Sequence, residues 1–188
     1  MTSRDVGTKL QLRPKNGPSR MQRPRLPDFA YKGTYAYHVI LRTQDGKPAP
    51  SERSAAAYCA EKLLQVASQL EFRILAYCVM STHLHVLIQG VEPSSDLMRF
   101  VQRFKHKTSF HNKRQSMGSR LWQQSFYDRV LRDDEDLEVV ARYVLANPIK
   151  AGLVENVWEY EGSGGEYFAA FKDGAKASSL RPDSEEPL

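Results

Sequence analysis

Hydrophobic and polar residues change their period several times along the 188-residue chain, and each change marks an element. Residues 35–42 form an aromatic and β-branched run that reads as a first strand. Turn chemistry ends it at Gln44-Asp45-Gly46-Lys47-Pro48. From a cap at Ser51, apolar residues recur at helical spacing through Ala55, Tyr58, Leu63, Leu64, Val66 and Leu70. Residues 72–79 and 83–89 then read as strands, and the short link Met80-Ser81-Thr82 predicts an antiparallel hairpin. Ser94 or Ser95 opens a second helix whose stripe is Leu97, Met98, Val101, Phe104 and Phe110. A fourth strand is expected over 124–131, followed by a helix from about 135 to 147, capped by Asp133-Asp134 and stopped by Pro148 and Gly152.

The order strand, helix, strand, strand, helix, strand, helix predicts an α+β fold, a ferredoxin-like split β-α-β sandwich. Its antiparallel sheet carries helices mainly on one face, with the C-terminal, tyrosine-bearing helix over the other. Alternation assigns Leu84, Val86 and Ile88 to the helix-covered face and His83, His85 and Leu87 to the open one.

Around this domain, set at 31–160, the pattern thins. Residues 1–30 hold seven Lys and Arg against Asp5 and Asp28, with no apolar period. They read as a flexible basic arm, either a solvated tail or a segment that grips phosphates. Residues 161–188 read as a Gly-rich joint, Gly162-Ser163-Gly164-Gly165, with an aromatic patch at Tyr167, Phe168 and Phe171 and an acidic, largely disordered tail.

Composition adds a mild bias. A formal charge of +5 and a pI near 9.2 favour a polyanionic partner without specifying one. No apolar run approaches the roughly 20 residues that cross a bilayer, and no apolar signal core opens the chain, so a cytoplasmic location without membrane contact is expected. Cys59 and Cys78 lack metal or disulfide spacing and read as core residues.

Candidate chemistry lies in two places. Histidines at i and i+2 on a strand are roughly 7 Å apart along the backbone and can converge on one metal ion; the pair His83 and His85 also reads as two ordinary strand histidines. On the last helix, Tyr143 and Asn147 stand four residues apart and project from the same side. Over the open sheet face, Asn147 would supply a third ligand and Tyr143 a nucleophile; the plain alternative is a tyrosine at the core edge and an asparagine closing the helix. A third feature is one-signed charge: Arg99, Arg103, Lys105 and Lys107 on the second helix, then Lys113, Arg114 and Arg120, with no acid between Asp96 and Asp128. That strip reads as a solvated face or as a nucleic-acid backbone grip, with Trp122, Phe126 and Tyr127 as candidate stacking partners.

Taken together, Tyr37-His38-Val39, His83-Leu84-His85, Leu121-Trp122-Gln123, Phe126-Tyr127-Asp128-Arg129-Val130 and the run from Tyr143-Val144-Leu145-Ala146-Asn147-Pro148 to Val154 resemble the HUH-class single-tyrosine transposases, REP-associated branch. The resemblance covers about 35 to 158. It implies metal ligands at His83, His85 and Asn147, a nucleophile at Tyr143, and cleavage and rejoining of single-stranded or hairpin DNA through a 5′-phosphotyrosine. A divalent ion is expected, magnesium or manganese, with imidazoles suiting the latter. A monomer working in cis is expected, with a shared-site dimer as the alternative. Ser81-Thr82 replaces the family's frequent Pro-Asn, a departure expected to change the hairpin turn more than the metal site. The rival readings are a non-catalytic hairpin DNA or RNA binder and a phosphodiesterase that uses water.

Overall fold

The computed structural model describes residues 29–46, 53–115, 120–131 and 137–174, with backbone only at 53–54 and 110–115. The basic arm up to residue 28, the caps at Ser51 and Asp133-Asp134, the side chains of Phe110, Lys113 and Arg114, and the acidic stretch from 175 lie outside that description.

Five antiparallel strands form one sheet, in the order β4-β1-β3-β2-β5: β1 Ala36–Arg42, β2 Phe72–Val79, β3 His83–Gly90, β4 Tyr127–Val130 and β5 Ser163–Gly164. Helices α1 (Arg53–Gln69) and α2 (Leu97–Gln115) cover one face. There Leu63, Val66, Phe100 and Phe104 bury against Tyr37, Val39, Leu41, Leu84, Val86 and Ile88, the alternate positions of β1 and β3. Helices α3 (Leu137–Leu145) and α5 (Glu166–Asp173) cover part of the other face, over Ala36, Leu75, Ala76, Cys78 and Leu87. A bulge between Ile74 and Ala76 turns Leu75 and Ala76 to the same side, which resets the alternation so that Tyr77 and Val79 still reach the first core. The expected sandwich is thus present.

Three local expectations need correction. First, β4 is shorter than 124–131, because the carbonyls of Gln123, Gln124 and Ser125 accept from Lys105 Nζ at 2.8, 3.2 and 3.1 Å instead of entering a ladder. Second, α3 ends at Leu145, just ahead of Pro148 as expected, but helical backbone resumes at once. A new turn, α4 (Asn147–Lys150), starts there, with proline near its beginning, where a missing N–H costs nothing. Gly152, at φ +67°, does end it: its N–H donates to Ile149 O and that of Leu153 to Pro148 O.

Third, the Gly-rich stretch is not a joint. Ser163 and Gly164 pair with Cys78 and Tyr77 of β2. A Cβ on Gly162 would come within 2.7 Å of Val79 O, and one on Gly165, at φ +113°, within 2.7 Å of Leu75 O. These glycines permit close approach. Beyond them α5 buries Phe171, Arg142 lies 4.4 Å from that ring, and Glu166 pairs with Arg73, so the folded unit runs past residue 160.

Candidate active site

Strand alternation puts His83 and His85 on the α3 face of β3, with ring centroids 4.9 Å apart. Neighbouring β1 contributes Ala36, His38, Ile40 and Arg42 to the same face, through the pairings His38 with Leu87, Ile40 with His85 and Arg42 with His83. The His38 ring stacks on that of His85 at 5.5 Å, with Nε2 of His38 3.3 Å from Nδ1 of His85. Both are about 5% exposed. His83 is less buried, and its Nδ1 lies 3.0 Å from Thr82 Oγ1. The departure at Ser81-Thr82 therefore sets a turn hydroxyl against one of the two imidazoles.

Helix α3 arrives over these rings because its stripe of Val140, Ala141, Val144 and Leu145 buries against the sheet. Tyr143 flanks that stripe. Its ring meets His38 at 5.8 Å and His85 at 6.2 Å, both edge-on, and Lys150 Nζ sits 4.4 Å from its centroid on the other helical segment. The two halves expected from the sequence, a histidine pair and a helix-borne tyrosine, are brought together.

Asn147 occupies the junction of α3 and α4. Its Nδ2 donates to the carbonyls of Tyr143 and Val144, both at 3.0 Å. The second of these is the carbonyl that Pro148, lacking an N–H, leaves unserved. The amide closes the helix, and Oδ1 makes no hydrogen bond among the described residues.

Burial holds the imidazoles of His83 and His85 below the ordinary histidine range, His85 far more strongly. Arg42 adds to the effect on both, and the neighbouring histidines and Lys150 add to it on His85. The groups that act on these imidazoles are all cationic or imidazole, so the site holds neutral rings beside fixed positive charge and favours an anion. Neutral imidazole is also the form that binds metal. Among the described residues no three His, Cys, Asp or Glu side chains cluster to hold an ion. The donor set available is two imidazoles whose Nδ1 atoms already have partners, which leaves Nε2 on each, and the Asn147 Oδ1. It fits a divalent ion that keeps open positions for solvent or substrate.

The expected basic strip lies elsewhere. Arg99 and Arg103 are exposed on α2, across the sheet from Tyr143. Lys105 is spent on the three loop carbonyls and the Phe126 ring, and Lys107 donates to Gln65 Oε1 at 3.1 Å. Arg120 is exposed. Trp122 is core, its Nε1 donating to Thr108 Oγ1 at 2.8 Å, and Phe126 packs against the same core. Tyr127 is half-buried on the histidine face, 6.5 Å from His38. The cations near the histidine face, Arg42 and Lys150, were not singled out by the sequence, and His38 entered only within the motif Tyr37-His38-Val39, with no role assigned. Alternation along β1 places His38 and Arg42 on one face, but only the pairing of β1 with β3 brings them to His85.

Residues 31–147 match the family model described as Transposase IS200 like. A Haemophilus influenzae protein assigned to the REP-associated tyrosine transposases is 28% identical over 149 residues, spanning 71% of this chain and 81% of its own length. The REP-associated tyrosine transposase of Escherichia coli K12 is 24% identical over 132 residues, spanning 68% and 73%. A solved structure of a REP-associated tyrosine transposase bound to a REP hairpin superimposes with a TM-score of 0.61 over 85% of this chain and 89% of that one, at 18% identity, a likeness of fold.

Proposed function

The chain belongs to the IS200-like transposase family, and from that membership we propose that it cuts and rejoins single-stranded DNA beside REP-like hairpins, with Tyr143 as nucleophile. The observation that carries the reading is the meeting of Tyr143 with His38 and His85 at 5.8 and 6.2 Å, across 105 and 58 residues of chain. In the cutting step the Tyr143 oxygen attacks phosphorus and loses its proton to solvent. The bond to the 3′ oxygen breaks, and that oxygen leaves as a hydroxyl after taking up a proton. Rejoining reverses this: a 3′-hydroxyl attacks the 5′-phosphotyrosine and the phenol is restored, so no nucleotide hydrolysis is needed.

His83, His85 and Asn147 Oδ1 would hold a divalent ion, magnesium or manganese, which neutralises charge on the phosphate when bound. Lys150 stands over the Tyr143 ring and Arg42 beside His83, and they favour both the phenolate and the scissile phosphate electrostatically. Arg99, Arg103 and Arg120 remain candidates for gripping DNA away from the reacting atoms. The site is taken as built in cis, with α3 over the sheet of its own chain, in a cytoplasmic monomer.

End-labelled hairpin oligonucleotides incubated with manganese and run on a denaturing gel test the reading. A slow-migrating covalent species that disappears in Tyr143→Phe is expected. Cleavage without an adduct would replace it with a water-using phosphodiesterase, and an adduct lost only in Tyr127→Phe would move the nucleophile to β4.

A further inference from the structure

His38 is a buried polar residue with an unusual neighbour, a second buried imidazole stacked on it at 5.5 Å and 19°. Phenylalanine or leucine would fill that position at lower desolvation cost, so the polar atoms need a reason. The 3.3 Å approach of Nε2 to Nδ1 of His85 supplies one. Only one hydrogen fits between these two nitrogens. If His38 Nε2 carries it, His85 Nδ1 is the acceptor and the neutral His85 ring has its own proton on Nε2, where it cannot bind metal. If His85 Nδ1 carries it and donates to His38 Nε2, the Nε2 lone pair of His85 is free.

We propose that His38 is a positioning residue that holds His85 in its Nδ1–H tautomer and so prepares Nε2 to bind a divalent ion. The inference rests on the metal-binding reading above and deepens it. The ring of His38 also lies under Tyr143 at 5.8 Å, so the same side chain borders both the ligand and the nucleophile and fixes the floor on which they meet. In the same assignment Thr82 plays the equivalent part for His83: its Oγ1 lies 3.0 Å from Nδ1 and takes the acceptor role when the proton is held there. The two ligand rings are thereby set by different devices, a turn hydroxyl at the strand end and a strand imidazole in the sheet interior.

The test is manganese binding by the full chain without DNA, read from the loss of the free-ion electron paramagnetic resonance signal. His83→Ala and His85→Ala should abolish high-affinity binding; if they do not, the metal-site reading itself fails. His38→Phe keeps the ring and removes the acceptor, and should weaken binding about 10- to 100-fold. His38→Gln places an oxygen acceptor near the lost Nε2 and should stay within a few-fold of wild type. Undiminished affinity in His38→Phe, or equal loss in His38→Gln and His38→Phe at unchanged melting temperature, overturns the proposal while leaving His83 and His85 as ligands. Should His38→Phe fail to fold, long-range nitrogen–proton correlation spectra of the wild-type chain with labelled histidine decide the matter. His85 protonated at Nδ1, with His38 unprotonated at Nε2, supports the assignment, and His85 protonated at Nε2 sinks it.

Discussion

The two faces of the sheet are built from the same strands and do opposite work. Toward α1 and α2, the strands present Tyr37, Val39, Leu41, Leu84, Val86 and Ile88, a continuous apolar layer that buries large side chains almost completely. Toward α3, the intervening positions include His38, Arg42, His83 and His85 beside the apolar Ala36, Ile40 and Leu87, and α3 and α4 bring Tyr143 and Lys150 to them. A strand read two residues at a time is a scaffold on one side and an array of reactive groups on the other. The lesson is mechanical: one backbone carries both sets, with His85 between two buried neighbours, Leu84 and Val86, and His83 beside one.

The strongest way to break this division is on the reactive face. Tyr143→Phe removes one oxygen, and the covalent adduct on a denaturing gel should fall below detection while the thermal melt stays within a degree or two of wild type. Across the sheet, Leu84→Ala should cost about 2–5 kcal/mol of stability in urea titrations, because a fully buried side chain leaves a cavity. Adduct yield per folded molecule should nevertheless survive below the unfolding transition. If Leu84→Ala abolishes the adduct in chains that remain folded, the two faces are not separable as described.

A smaller effect distinguishes structure from binding on α2. Lys105→Met should destabilise by about 1–2 kcal/mol through the loop carbonyls it holds, and should leave the affinity for hairpin DNA in a gel-shift titration nearly unchanged. Arg99→Ala with Arg103→Ala should do the reverse, sparing the melt and weakening binding in a salt-dependent way. A lysine at 105 that lowers affinity as much as the arginines would restore it to the phosphate strip.

The imidazoles also give the metal-free protein a pH dependence of defined sign. Burial lowers the folded-state values of His83 and His85 below the ordinary 6.5, so the unfolded chain takes up protons first as pH falls. Stability is therefore fully present above that value and declines below it, and melts recorded between about pH 8 and about pH 5 should show it. His85→Phe should flatten the slope. Least of all is expected from the thiols: burial pushes Cys59 up to about 11 and Cys78 up to about 12, so neither should react with a disulfide reagent at neutral pH until the chain unfolds.

Much of this was legible in the chain. The strand alternation of β3 and the helical stripe of α3 assign His83, His85 and Tyr143 to the right faces, since periods of 2 and 3.6 are local properties. What was not legible depends on tertiary partners. Lys105 looks like any exposed cation until the carbonyls of residues 123–125 are seen around it. His38 stands in a recognisable motif, but its partner His85 is hidden until β1 is registered against β3. The Gly-rich run after Glu161 has the composition of a linker, and only the backbone of β2 a few ångströms away shows that its missing side chains are a packing requirement.

The junction at Asn147 ties two properties to one side chain. One amide both closes the helix that carries the tyrosine and presents the oxygen that the proposed site draws on. Any substitution that removes the amide therefore takes a donor from the carbonyls of Tyr143 and Val144 and frays the helix end, so no experiment at this position can subtract the oxygen without also loosening the tyrosine.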